Sequence, residues 1–371
     1  MYIFLNVFLS ACSEQKEDTS ISQPIEEPAT WVDMSIEVEE IRAQYNLPAL
    51  GGVHIQDGVI AKLGTSGLRS SASEQAVTDY DKWHLGSCTK AMTATLAATY
   101  VDDGLLTWDS TLKELFPEIP MHPSYEDVTI AMLLSHHGGT WSSLAAHPET
   151  WSAMWQDGNV VEQRFRMVED VLAEEPEVQP DSTFLYSNAG YIIVGVALEG
   201  LTDQSWEELM EERIFAPLGM NSCGFGGQDP DASLEHPWGH QANGEPNHPV
   251  DDFSDNPPAL GPAGTVHCNL PDWSQFIIES LKMHRGESTL LSPTQAEKIF
   301  TVYGENYSLG WLVVERGWAQ GESFTHTGSN TINHAVVWGG PAINEAYLAV
   351  TNIYNDNSAA ALDALVVGLL P

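Results

Sequence analysis

The sequence predicts an α/β fold of two lobes, in which an antiparallel sheet built from both chain ends is flanked by helices and a mostly helical region is inserted between its halves. Three observations predict it. Alternating apolar residues close around Asp57-Gly58 near the start of the chain, a strong hairpin signal. Four β-rich runs return after residue 300. Between them, residues 87–264 read as helical stretches joined by Gly, Pro and Asp loops. A sheet assembled this way brings the two ends of the domain together.

The elements follow in order. Residues 1–12 form an apolar run too short to span a bilayer, and residues 13–30 are a Glu-, Ser- and Pro-rich tether. Residues 36–45 read as a short amphipathic helix, and residues 52–63 as the hairpin. An alanine-rich helix of small residues, 91–98, stops at Gly104. Residues 191–198 are a second apolar helix. Strands are expected at 307–314, 324–327, 334–338 and 346–351, and a final helix at 359–370 covers one sheet face. The α/β lobe is then about 31–85 with 265–371, and the helical lobe about 86–264.

The 371 residues are ample for a buried site. With 14 basic and 52 acidic side chains the formal charge is −38, spread along the chain. Such a surface repels phosphate backbones and excludes a nucleic-acid partner.

Ser-x-x-Lys places a hydroxyl and an amine one helical turn apart, which supplies a serine nucleophile with a base. Three pairs fit: Ser13 with Lys16, Ser87 with Lys90, and Ser110 with Lys113. The first lies in the tether and the second at the head of the alanine-rich helix. The third precedes Leu112, Leu115, Phe116 and Pro117, as in a short surface helix. Only Ser87 and Lys90 enter a helix poor enough in charge to be buried, where a lysine pKa falls towards that of a usable base. Tyr186-Ser187-Asn188 adds a phenol that could pass a proton and an amide that could hold a carbonyl or the lysine. His326-Thr327-Gly328-Ser329 ends an expected strand. There a backbone N–H could meet an oxyanion, Gly328 allows close approach, and His326 and Thr327 could face an acidic substrate group.

In this order, Ser-x-x-Lys, Tyr-x-Asn and His-Thr-Gly resemble the three signatures of the serine β-lactamase and penicillin-binding-protein superfamily. The tyrosine form is similar to the branch of class C β-lactamases, D-alanyl-D-alanine carboxypeptidases and β-lactamase-like esterases. Leu133-Leu134-Ser135-His136, Pro262-Ala263-Gly264 and Leu309-Gly310-Trp311 look like further landmarks of that family. The resemblance implies a two-lobed β-lactamase-like fold with a cleft between the lobes and acyl transfer without a cofactor. Ser87 would attack a carbonyl, with Lys90 and Tyr186 moving its proton. The Ser87 and Ser329 N–H groups would form the oxyanion hole, and Asn188, His326, Thr327 and Gly328 would position substrate. Whether Lys90 or Tyr186 is the base stays open. The substrate would be a small ester, a D-alanyl peptide or, as an alternative, a β-lactam. A catalytically silent envelope protein is the alternative of another class, disfavoured by the intact Ser87, Lys90 and Tyr186.

Two departures bear on substrate. His326 stands where class C enzymes usually carry lysine, and a mostly neutral histidine attracts a carboxylate less. His136-His137-Gly138-Gly139 also differs from the family's usual segment, and no Gly-x-Ser-x-Gly accompanies it to make a lipase site. Leu9-Ser10-Ala11-Cys12 resembles a bacterial lipobox, with Cys12 lipidated. That implies an exported protein of the periplasm or cell envelope, touching membrane only through its anchor. No Lys or Arg precedes the run, which points to a truncated start. Of the remaining cysteines, Cys88 reads as a buried filler, while Cys223 and Cys268 could pair in an oxidising compartment although nothing in the sequence fixes their proximity. His236, His240 and His248 lie in a Pro- and Asn-rich loop without a zinc signature, so no metal is expected.

Overall fold

Asp57 and Gly58 both adopt positive φ, 53° and 79°, the backbone a tight hairpin needs to match strand twist. In this computed structural model, which describes residues 30–156, 158–251 and 254–371, that hairpin seeds the main sheet. Cys12, most of the tether and the Ser13/Lys16 pair lie outside the described residues. The strands are β1 (Val32–Asp33), β2 (Ala49–Gln56), β3 (Val59–Gly67), β4 (Lys82–His84), β5 (Gly224–Phe225), β6 (Val266–Asn269), β7 (Leu312–Arg316), β8 (Gly321–Ser329), β9 (His334–Gly340) and β10 (Glu345–Thr351). Seven of them form one sheet in the order β1-β3-β2-β10-β9-β8-β7. Strand β10 pairs antiparallel with β2, so the two chain ends meet in the middle of the sheet. One pairing departs from the expected antiparallel pattern: β1 lies parallel to β3 at the edge.

Strand β10 is buried along its whole length, which is why 346–350 is an unbroken apolar run. Tyr347 and Ala349 join Met34, Val38, Leu362 and Leu365 on one face, against helices α1 (Ser35–Gln44) and, at the carboxyl end, a helix at Asp356–Leu369. Ala346, Leu348 and Val350 point into the larger core on the other face. That core takes in α2 (Thr89–Asp102), α3 (Asn188–Thr202) and α4 (Leu270–His284). A three-stranded sheet, β4-β6-β5, links the hairpin side to α2.

Two local expectations change. The strand foreseen at 307–314 begins only at Leu312, because Gly310 takes φ 86° and packs on α2, where a Cβ would lie 2.7 Å from the Ala91 Cα. Cys223 and Cys268 are disulfide-bonded. The antiparallel pairing of β5 with β6 brings the two cysteines together, a proximity the sequence spacing left open.

Candidate active site

Strand β4 delivers the chain into a 3-10 turn, Gly86–Cys88, that runs directly into α2. Ser87 is half-buried at this turn. Two glycines bring it against the end of β8. A Cβ on Gly86 would lie 2.2 Å from the Ser329 nitrogen, and one on Gly328 would lie 2.0 Å from the Leu85 oxygen and 2.7 Å from the Ser87 nitrogen. Backbone therefore meets backbone, with the Ser87 and Ser329 nitrogens on either side of the contact. Strand β7 pairs with β8 only as far as Thr325, so the edge from His326 to Ser329 is not covered by β7.

Lys90 follows one turn later and is fully buried. Its Nζ lies 3.1 Å from Ser87 Oγ, 2.7 Å from Asn188 Oδ1 and 2.7 Å from the Ala263 carbonyl oxygen. Burial lowers its pKa to about 7. A neutral amine has two N–H donors and one lone pair. Asn188 Oδ1 and Ala263 O can only accept, so they take both hydrogens and leave the lone pair directed at Ser87 Oγ. The three partners thus orient the amine as a proton acceptor for the serine.

Asn188 opens α3, which Ser187 caps by accepting from the Gly190 N–H. Ser187 is itself fastened: Thr140 Oγ1 donates to its hydroxyl, which donates to the Trp141 carbonyl, and its N–H donates to His136 Nδ1 at 3.0 Å. His136 lies at φ 63° with its ring 4.3 Å from that of Tyr186. Burial holds its pKa well below the usual imidazole value, so it is neutral. It braces the Tyr-Ser-Asn loop, a role that the divergent His-His-Gly-Gly pattern does not signal. Tyr186 interacts through its hydroxyl with Ser87, but burial dominates and raises its pKa, so it stays a phenol. Its ring centroid lies 4.9 Å from Lys90 Nζ.

The β8 residues divide by face. His326 is buried, its Nδ1–H donating to the Thr327 carbonyl at 2.7 Å and its Nε2 accepting from the Tyr307 hydroxyl at 2.9 Å. Burial, reinforced by Lys90, lowers its pKa to about 3. A charged His326 facing an acidic substrate group is therefore not what the geometry offers. Thr327 alternates to the other face, where its hydroxyl engages His334 Nε2 and the Ala335 carbonyl. There it lines a small cavity with Leu362 and Val366, so the hydroxyl foreseen at the substrate is committed elsewhere.

Other candidates separate cleanly. Ser110 bonds Thr107, while Lys113 pairs with Glu126 at the surface. Cys88 is buried with its Sγ towards the His326 carbonyl, and burial raises its pKa. His240 bonds Asn352 and Ser71, and His236 accepts from the Lys82 N–H. A groove of about 790 Å³ between residues 114–119 and α3 contains none of the Ser87 constellation.

The sequence pattern of the Beta-lactamase family matches residues 37–370. The chain belongs to the Beta-lactamase family. Within this family of hydrolases, it is 28% identical over 185 residues to "Penicillin-binding protein 4" of Amycolatopsis lactamdurans, covering 49% of this chain and 46% of that protein. It is 30% identical over 161 residues to "Lovastatin esterase" of Penicillium rubens, covering 39% of this chain and 40% of that one. The matched segments thus span under half the length of these relatives. Among solved structures, the octameric penicillin-binding protein homologue from Pyrococcus abyssi superposes with a TM-score of 0.72 at 22% identity, over 90% of this chain and 76% of that one. That likeness establishes the β-lactamase and penicillin-binding-protein fold.

Proposed function

We propose that this chain is a serine hydrolase that forms an acyl-enzyme on Ser87 and acts on esters, or amides, that carry no negative charge beside the scissile carbonyl. The observation that carries the reading is the lone pair of Lys90, aimed at Ser87 Oγ by two acceptors that take its hydrogens. Lys90 removes the hydroxyl proton as the Ser87 oxygen attacks the carbonyl, and the backbone N–H groups of Ser87 and Ser329 hold the resulting oxyanion. Tyr186, kept neutral by burial, hands a proton to the leaving group and is replenished from Lys90. Water then attacks the ester on Ser87 by the reverse sequence, releasing the acid and restoring the hydroxyl.

The uncharged substrate follows from the electrostatics. A β-lactam or a D-alanyl-D-alanine terminus carries a carboxylate, which a cation receives best. Here Lys90 is only half protonated at pH 7, with Asn188 and Ala263 taking its hydrogens, and His326 is neutral and turned to Tyr307. Among the described residues, no other Lys or Arg bonds to Ser87, Tyr186, Asn188 or His326. The net charge of −38 adds long-range repulsion of anions. Esters therefore rank above D-alanyl peptides, and β-lactams come last. Export with a lipid anchor at Cys12 is part of the same proposal, supported by the Cys223–Cys268 bond, which belongs in an oxidising compartment.

The deciding test incubates the protein with a fluorophosphonate, a fluorescent penicillin and p-nitrophenyl acetate in parallel. Phosphonate labelling at Ser87, lost in Ser87→Ala, with ester turnover and at most weak penicillin labelling is expected. An adduct elsewhere, or one surviving Ser87→Ala, refutes the mechanism. Rapid hydrolysis of a chromogenic cephalosporin refutes the substrate assignment alone.

A further inference from the structure

Behind the two oxyanion amides stands a carboxylate that takes no part in the acyl-transfer steps. Asp255 lies within the long segment between β5 and β6. Its Oδ1 is 3.0 Å from His84 Nε2 and accepts from Asn330 Nδ2 at 2.7 Å. Each partner touches one side of the oxyanion site. His84 Nδ1 accepts the Gly86 N–H at 3.1 Å, so its proton sits on Nε2, the nitrogen that lies beside the carboxylate. Gly86 precedes the nucleophile and has the left-handed φ of 51° that turns Ser87 outwards. Asn330 directly follows Ser329, and its own Oδ1 accepts from the Asn333 N–H at 2.9 Å, closing the turn after β8. The neighbouring Asn256 adds a third tie, donating to the Gly264 carbonyl at 2.8 Å, one residue from the Lys90 acceptor Ala263.

One carboxylate oxygen therefore pairs with His84 and accepts from Asn330, on the two backbone segments that pack against each other at Gly86 and Gly328, and the side chain of His84 is wholly enclosed. We propose that Asp255 is a positioning residue of the oxyanion site: through His84, which holds the Gly86 N–H of the nucleophile turn, and Asn330, which follows the end of β8, it sets the separation of the Ser87 and Ser329 N–H groups. The inference rests on the acyl-transfer reading of Ser87. Asp255 itself touches no reacting atom. Its effect is confined to the transition state, because the ground-state carbonyl oxygen carries too little charge to reward correct spacing.

The test uses the full chain with Asp255→Ala, Asp255→Asn, His84→Gln and the Asp255→Ala/His84→Gln double variant. Three quantities are measured: kcat and KM for p-nitrophenyl acetate, the inhibition constant of an aryl boronic acid that forms a tetrahedral adduct on Ser87, and melting temperature. Removing one oxyanion donor typically lowers kcat about 10²–10³-fold, and misplacing one should lower it about 10–100-fold. Asp255→Ala and His84→Gln are each expected to lose kcat in that range with KM within about twofold, boronate affinity falling by the same factor as kcat. The double variant should be no worse than the poorer single one, since both act through one link. Asp255→Asn keeps an acceptor for His84 and Asn330 and should stay within a few-fold of the unaltered protein. Unchanged kcat and boronate affinity in His84→Gln and Asp255→Ala overturn the proposal. So does a loss that Asp255→Asn fails to rescue, or one that is additive in the double variant. If Asp255→Ala does not fold, His84→Gln and Asp255→Asn decide. A protein whose Ser87 is not labelled by fluorophosphonate refutes the underlying acyl-transfer reading instead, a separate result.

Discussion

The lowered pKa of Lys90 makes a quantitative prediction about rate. An ordinary lysine, at 10.5, would be neutral in only about 0.03% of molecules at pH 7. At the value of about 7 that burial imposes, half are neutral at pH 7. The gain in usable base is about three orders of magnitude. The sign is fixed by the form required: the base must be deprotonated, so kcat/KM falls as pH drops. It should be near its plateau at pH 8, about half of it at pH 7, and about a hundredth at pH 5, with a slope of one below the midpoint. His326, at about 3, does not titrate in this window, and burial holds His136 well below the usual imidazole value. His137 lies close by, packed on Tyr303, so His137→Gln serves as the control and should leave the midpoint in place. The assay is initial-rate hydrolysis of p-nitrophenyl acetate from pH 5 to 9, corrected for background. Lys90→Arg, which cannot deprotonate, should abolish the limb along with activity. A flat profile from pH 5 to 8, or a rate still rising with a slope of one at pH 9, would refute a lysine of lowered pKa as the base.

Three further outcomes are expected. Gly328→Ala forces a Cβ to within 2.0 Å of the Leu85 oxygen, so it should lower ester turnover by more than a hundredfold and reduce the melting temperature; retained activity would show that β8 does not meet the nucleophile turn. Losing the Cys223–Cys268 bond, which closes a 45-residue separation, should cost up to about 4 kcal/mol by loop-closure entropy, read as a lower urea midpoint for the double serine variant with Ser87 still labelled. Arg164 is wholly buried between Glu199 and Glu207, so Arg164→Ala strands two carboxylates and should destabilise by about 3–5 kcal/mol in urea titration, far more than loss of the half-exposed Arg213–Asp103 pair.

How far the sequence discloses this site depends on whether the relevant interaction is local. The Ser87–Lys90 offset is a helix periodicity, and the Asp57-Gly58 turn and the unbroken apolar run of β10 are equally local, so all three are legible from neighbouring residues alone. The order of the three motifs then supplies their assembly, because each short match is ambiguous alone. What stays hidden is pairing across long separations: Ala263 as a hydrogen-bond acceptor for Lys90 is 173 residues away, and Asp255 reaches His84 and Asn330 from a loop with no pattern of its own. Faces are hidden for a different reason. A strand alternates, so Thr327 cannot share the side of His326, yet which side holds the nucleophile depends on where α2 packs. His326 joins both limits. Its residue type alone indicates weak attraction for a carboxylate, but only burial, reinforced by the nearby amine of Lys90, makes it neutral throughout the physiological range, with its Nε2 taken up by the Tyr307 hydroxyl. The same motif position in a more open site would titrate near 6.5 and could draw an anion at low pH; here, burial removes that option, and the proposed preference for uncharged substrates rests on packing rather than on the substitution itself.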